Sequence, residues 1–265
     1  MRPNPVHELI RAGRPAIGGW VSTPSPITGE LLGTLGFDAV AIDLQHALID
    51  MNTCFGLLQA ISCTPAAPFV RVSGNHFAEI NKVLDAGAYG VICPLINSAE
   101  EAARFVDAVR YPPLGTRSYG PVRGLLYGGN DYFERAGDTV IALAMVETRQ
   151  ALAAIDDILA VDGLDGIFIG PNDLGISLGV GPGAEWRTGT LADALAQAVA
   201  RVKHAKKMCS VWCPNELMAA DMIALGFNLV FPGADSVMLR AEASRRLAAL
   251  RTPGAVAPQV SKAAY

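Results

Sequence analysis

Four side chains stand where apolar runs of this chain break off. His46 follows "AVAID", Arg71 closes on "FVRVS", Glu147 ends "VIALAMVE", and Asp173 follows "GIFIG" in "GPND". Two carboxylates with no His or Cys ligand beside them suit a hard divalent cation such as Mg²⁺, Mn²⁺ or Co²⁺. With so few protein ligands, such an ion keeps positions for water and for a chelating 2-oxo acid, whose ketone it would polarise toward an enolate. Arg71 would add fixed positive charge at the same oxygen. Each residue alone also has a plain structural explanation. Asp173 could cap a helix, Glu147 could sit favourably at a helix start, and His46 could be an ordinary loop histidine. The convergence of all four on one edge is harder to explain by structure alone.

Lysine placement narrows the chemistry. Lys82, Lys203, Lys206 and Lys207 lie in expected helices and Lys262 in the terminal segment, so none stands at a strand end. A Schiff-base aldolase needs a lysine amine in its pocket. Carbon–carbon bond chemistry here would therefore use a metal.

The elements that must bring these residues together follow from the hydropathy pattern. Eight short apolar runs, at 18–22, 39–43, 69–73, 90–95, 140–147, 166–170, 210–213 and 229–233, alternate with amphipathic stretches such as "AEINKVLDAG" and "SAEEAARFVDAVR". Continuous apolar strands mark a parallel sheet covered on both faces, and eight β-then-α units predict a (β/α)8 TIM barrel of a single domain over 1–251. A doubly wound sheet is the alternative, disfavoured by the unit count and by the lack of a Gly-rich turn after the first strand. Barrel sites collect at the carboxyl ends of the strands, which is where the four residues fall. Trp20 and Trp212 end the first and seventh strands, and are expected with the long 111–139 insert to wall the rest of the rim. Residues 252–265 are expected to be a flexible tail.

Composition excludes other classes. At 265 residues with net charge −4 and scattered Lys and Arg, the chain carries no nucleic-acid footprint. The odd number of cysteines, without a CxxC, reads as buried free thiols in a reducing cytoplasm. The first residues lack an apolar leader segment, and no run approaches a membrane span.

Five segments carry a resemblance. "GFDAVAIDLQHA", "VRV", "YPPLGTRSYGP", "VETRQAL" and "VDGLDGIFIGPNDL" resemble, in order, motifs of the HpcH/HpaI family of class II pyruvate aldolases, over about Val6 to Leu250. The resemblance implies metal-dependent cleavage of 4-hydroxy-2-oxo acids to pyruvate, or a related acid such as hydroxypyruvate, and an aldehyde. It implies that Glu147 and Asp173 bind the metal and that Arg71 stabilises the enolate. His46 would move protons through a metal-bound water, with Asp43 fixing the geometry around it. Gly170, Pro171, Asn172 and Asp173 would hold the substrate carboxylate, and Gln45 and Trp212 would line the substrate site. Asp85 would orient the histidine of a neighbouring subunit in a homohexamer, a trimer of dimers that exchanges its last helix. Two departures stand out: Gln45 replaces a frequent Glu, and Met145 replaces a frequent Gln. A malyl- or citramalyl-CoA lyase and a non-catalytic binding barrel are the rival readings.

Overall fold

The computed structural model describes residues 1–251; the tail expected at 252–265 lies outside the described residues. Eight parallel strands close on themselves in sequence order. They are β1 (Ala16–Val21), β2 (Ala39–Asp43), β3 (Ala67–Arg71), β4 (Gly90–Cys93), β5 (Ile141–Val146), β6 (Gly166–Ile169), β7 (Met208–Cys213) and β8 (Leu229–Pro232). The final pairing, Ala16 with Leu229 and Ile17 with Val230, joins β1 to β8. The expected barrel is therefore the fold.

The helices in chain order are α1 (Pro5–Arg11), α2 (Pro26–Thr34), α3 (Met51–Ser62), α4 (Phe77–Asp85), α5 (Ala99–Val109), α6 (Val122–Gly128) and α7 (Tyr132–Thr139). They continue as α8 (Arg149–Ala153), α9 (Ile155–Leu159), α10 (Pro171–Leu178), α11 (Thr190–Ala205), α12 (Glu216–Leu225) and α13 (Asp235–Arg251). None among the described residues is long and apolar enough to cross a membrane.

The periodicity of two along each strand separates two cores. Outward side chains such as Val40, Ile42, Val70 and Val91 pack under the helices. Inward ones, including Phe69, Phe168 and Phe231, fill the barrel beneath Trp20. The aromatic packing needs room: a Cβ on Gly18 would lie 2.1 Å from the Phe231 ring. Trp20 meets Phe231 edge-on at 5.3 Å and Phe168 at 5.8 Å between ring centroids. At the amino-terminal end, α1 inserts Val6 into the inner core, and Asn4 Nδ2 donates to the carbonyls of Tyr89 and Thr139.

The 111–139 insert differs from its expectation. It is not a structureless loop, since it contains α6 and α7, and it does not wall the rim of its own barrel. The reason is topological: a segment leading from α5 into β5 must return to the strand's amino end. There Gly128 accepts from the Arg2 backbone N–H, and Arg110 donates to the carbonyls of Gly137 and Val140.

At the other end, the junction into α13 is tied to β1 by one buried carboxylate. Asp235 accepts from Ser22 N and Oγ at 2.8 and 2.6 Å, Thr23 N and Oγ1 at 3.1 and 2.5 Å, and Ser236 N at 2.7 Å. Beyond it α13 buries no other residue, leaving Leu239 and Leu250 exposed, while α2 exposes Ile27, Leu31 and Leu35. Burial opposes ionisation of Asp235, but the donors outweigh it and hold the carboxyl below its ordinary range. A depressed folded value means the contribution is present above the ordinary carboxylate range and lost as pH falls through it. Asp235→Ala should cost about 2 kcal/mol at neutral pH and leave a protein whose stability changes less between neutral and acidic pH, as read by chemical denaturation. Equal acid sensitivity in the variant would remove Asp235 as its source.

Candidate active site

The carboxyl ends of the strands enclose a cavity of about 210 Å³. β2 and β3 pair in register, so Asp43 and Arg71 are direct neighbours. Each ends its strand, where the inner core stops and a charged side chain can reach the opening. The Arg71 fork then closes on Asp43, Nε to Oδ1 at 2.9 Å and Nη2 to Oδ2 at 2.6 Å. Asp43 Oδ1 also accepts the backbone N–H groups of Gln45 and His46 at 3.0 and 3.2 Å, which turns the chain after β2 and sets His46 on the rim. The guanidinium lies 4.8 Å from the Trp20 ring centroid. That stacking and the fork leave it one orientation, facing the cavity.

Glu147 follows β5 and is buried. Its Oε1 accepts the Leu95 backbone N–H at 2.8 Å. Leu95 sits at φ 55°, a left-handed conformation that costs a leucine about 1 kcal/mol. This strain aims a main-chain donor at the acid. The second oxygen, Oε2, faces the end of β6, where a Cβ on Gly170 would lie only 2.6 Å away. A glycine is required there for the two strands to end side by side. Burial pushes the Glu147 carboxyl up, the Leu95 N–H draws it down, and the negative charge of Asp173 raises it again.

Gly170 leads into α10, and Pro171 occupies its first turn. The proline ring favours that position, and the first-turn N–H groups have no intrahelical acceptors. Asp173 stands in the same turn, exposed at the cavity. Asn172 Oδ1 accepts the Gly183 backbone N–H at 3.0 Å, which ties the loop after α10 to the rim.

Of the residues singled out in the sequence, His46, Arg71, Gly170, Pro171, Asn172, Asp173 and Trp212 line this one cavity, with Trp20 and Met145. Glu147 packs behind Gly170. Two do not join them. Gln45 is absent from the lining, and its side-chain oxygen is buried without a partner. Asp85 ends α4 at the opposite, amino-terminal side, paired with Arg117 at 2.9 Å. Residues not anticipated as cavity-lining are Ser22 and Ser236, whose hydroxyls meet at 2.6 Å. Their signal in the sequence was slight, because both depend on where α13 begins. Asp43 was anticipated beside His46, but not as the partner of Arg71. No lysine among the described residues lines the cavity.

A rigid cation beside two carboxylates and an exposed imidazole can stabilise negative charge on a small oxo acid and move a proton nearby. The chain as a whole is similar to known proteins. The chain is 42% identical to a hydroxypyruvate/pyruvate aldolase of Rhizorhabdus wittichii, over 94% of this chain and 99% of that protein. It is 37% identical to a 4-hydroxy-2-oxo-heptane-1,7-dioate aldolase of Klebsiella pneumoniae, over 95% of each. A crystal structure of a HpcH/HpaI aldolase/citrate lyase family protein from Burkholderia cenocepacia superposes with a TM-score of 0.86 at 29% identity, covering 93% of this chain and 98% of that one. Residues 16–242 match the sequence profile of the same family, and the chain belongs to the HpcH/HpaI aldolase/citrate lyase family.

Proposed function

We propose that the protein is a carbon–carbon lyase of the class II pyruvate-aldolase type. It cleaves 4-hydroxy-2-oxo acids reversibly to pyruvate, or a related 2-oxo acid such as hydroxypyruvate, and an aldehyde. The observation that carries this reading is the fixed Arg71 guanidinium in a small cavity that Asp173 lines and Glu147 backs, with no lysine among the described residues that line it. The names of the relatives support it. The cavity suits a small oxo acid better than a CoA thioester, since Arg71 is the one Lys or Arg among its lining residues.

Cleavage breaks the C3–C4 bond and leaves its electron pair on C3, delocalised into the C2 ketone as an enolate. Negative charge grows on the C2 oxygen, where a fixed Arg71 donor is worth on the order of 3 kcal/mol. The C4 hydroxyl surrenders its proton as the aldehyde forms, and His46 is the exposed base on the rim to take it. C3 is then protonated to give the product acid. The first-turn N–H groups of α10 at Asn172 and Asp173 receive the substrate carboxylate.

The donor set fits a hard cation. Glu147 Oε2 has no hydrogen-bond partner among the described residues and lies beside Gly170, and Asp173 sits near enough to raise the Glu147 carboxyl. Mg²⁺, Mn²⁺ or Co²⁺ held by Glu147 and Asp173 would polarise the C2 ketone and stabilise the enolate.

A homo-oligomer, as the hexamer expected from sequence, completes the reading. The apolar residues left exposed on α13, Leu239 and Leu250, support an exchange of the last helix between copies, which would cover them. In such an assembly Asp85 would serve the partner subunit's His46, which it cannot reach in its own chain.

Chelation should abolish cleavage, with Mg²⁺, Mn²⁺ or Co²⁺ restoring it; borohydride trapping of pyruvate on the protein would instead demand a lysine mechanism. A raised Glu147 carboxyl means that metal-free folded protein holds its proton above the range where the unfolded chain has released it. Ionisation at neutral pH thus opposes folding. Glu147→Gln should raise metal-free stability at neutral pH, read by chemical denaturation, while erasing the melting shift caused by Mn²⁺. A full Mn²⁺ shift in the variant would move the cation elsewhere. Trp212→Ala should change aldehyde preference by about tenfold and leave deuterium exchange at the pyruvate methyl group intact. Equal losses in both assays would remove Trp212 from the acceptor side.

A further inference from the structure

Two buried arginines, one just before the insert and one within it, lie on the amino-terminal side, and they are used differently. Arg110 spends its fork on main chain and one acid, donating to Gly163 O, Gly137 O, Val140 O and Asp165 Oδ2. That is the pattern of a structural arginine, with its donors distributed over the segments it holds. Arg117 is 3% exposed yet leaves Nε without an acceptor. Its side chain donates hydrogen bonds to Asp85 Oδ1, at 2.9 Å, and to the Tyr132 hydroxyl, at 3.1 Å, and to nothing else among the described residues. The guanidinium is fixed by ring faces instead, 4.6 Å from the Tyr111 centroid and 5.5 Å from that of Tyr132.

This grip has a direction. Arg117 takes one oxygen of Asp85, while Oδ2 has no hydrogen-bond partner among the described residues. That oxygen lies beside Gly120, where an added Cβ would stand 3.7 Å from it, in ordinary contact. Around it the surface exposes Tyr119 and Phe133, rings of the kind that a second protein copy covers. Burying an arginine against a single carboxylate without saturating its donors gains little stability. It does fix where the remaining oxygen points.

We infer that Arg117 is a positioning residue, which anchors Asp85 Oδ1 so that Oδ2 is presented to the imidazole of the partner subunit's His46. This rests on the reading of Asp85 given above. The groups facing Asp85 are Arg117 and Tyr111 from the start of the insert and Tyr132 from α7. Arg123 of α6 is engaged nearby with Ala86 O, and Lys82 lies on α4 itself. Burial raises the Asp85 carboxyl and Arg117 opposes that rise.

The test is the pH profile of aldol cleavage by the assembled, metal-loaded protein, with Arg117→Met, Arg117→Lys, Asp85→Asn and the Arg117→Met/Asp85→Asn double variant side by side. Arg117→Met should lower kcat about tenfold or more and leave KM for the oxo acid unchanged, because the rim of the same chain lies at the other end of the barrel. The acid limb of the profile should move up by about one pH unit. Arg117→Lys should recover part of that shift, and the double variant should be no worse than Asp85→Asn alone. Should Arg117→Met fail to assemble, Arg117→Lys and Tyr132→Phe carry the test, with a smaller displacement in the same direction. A wild-type kcat and acid limb in the assembled Arg117 variants, with Asp85→Asn impaired, would overturn the positioning role only. An unimpaired Asp85→Asn would overturn both that role and the service of Asp85 to a partner.

Discussion

The site depends on the ion pair between Asp43 and Arg71. Both residues end adjacent strands in direct register, both are largely withdrawn from water, and neither could stay buried and charged without the other. Their bond settles three further matters. It gives the guanidinium one orientation, against Trp20. It turns the chain after β2 through the N–H groups of Gln45 and His46. It also lets the apolar interior end abruptly, since a paired charge can sit directly on an aromatic floor. Removing either partner would strand the other in a low-dielectric pocket, so the pair behaves as one unit.

The fold was legible because strands in a closed parallel barrel are covered on both faces and read as uninterrupted apolar runs. β2 was recovered to the residue and the others within two residues at each end. The rim was legible for the same reason: a charged residue stopping such a run has to face something. What escaped depends on how segments meet. The pairing of Asp43 with Arg71 follows from strand register, which the pattern does not encode. The serine pair depends on the point where α13 departs, and the donor from Leu95 on a backbone conformation that leucine rarely adopts. The insert lies at the amino end because it must lead from α5 into the start of β5, a direction its length and position between those elements imply but its hydropathy does not.

The two barrel ends divide their polar groups by purpose. On the amino-terminal side Arg110 and Asp165 are knitted into main-chain carbonyls and the Ala142 N–H, which closes β5 against β6 and serves stability. On the carboxyl side polar groups are left with unused capacity: Glu147 Oε2, the His46 ring and the remaining Arg71 donors. Arg117 and Asp85 break this division, with unspent capacity on the stable side.

The Leu95 amide has a consequence for how the sequence can drift. The side chain at this position is 55% exposed and supplies nothing to the cavity; the contribution to Glu147 comes wholly from the main chain. Most replacements at 95 would therefore be silent in the chemistry, and glycine or asparagine would even relieve the strained φ. Proline alone deletes the donor while demanding the opposite sign of φ. A position that looks variable by residue type can thus be under strict constraint by backbone shape, invisible to any comparison that counts only side chains.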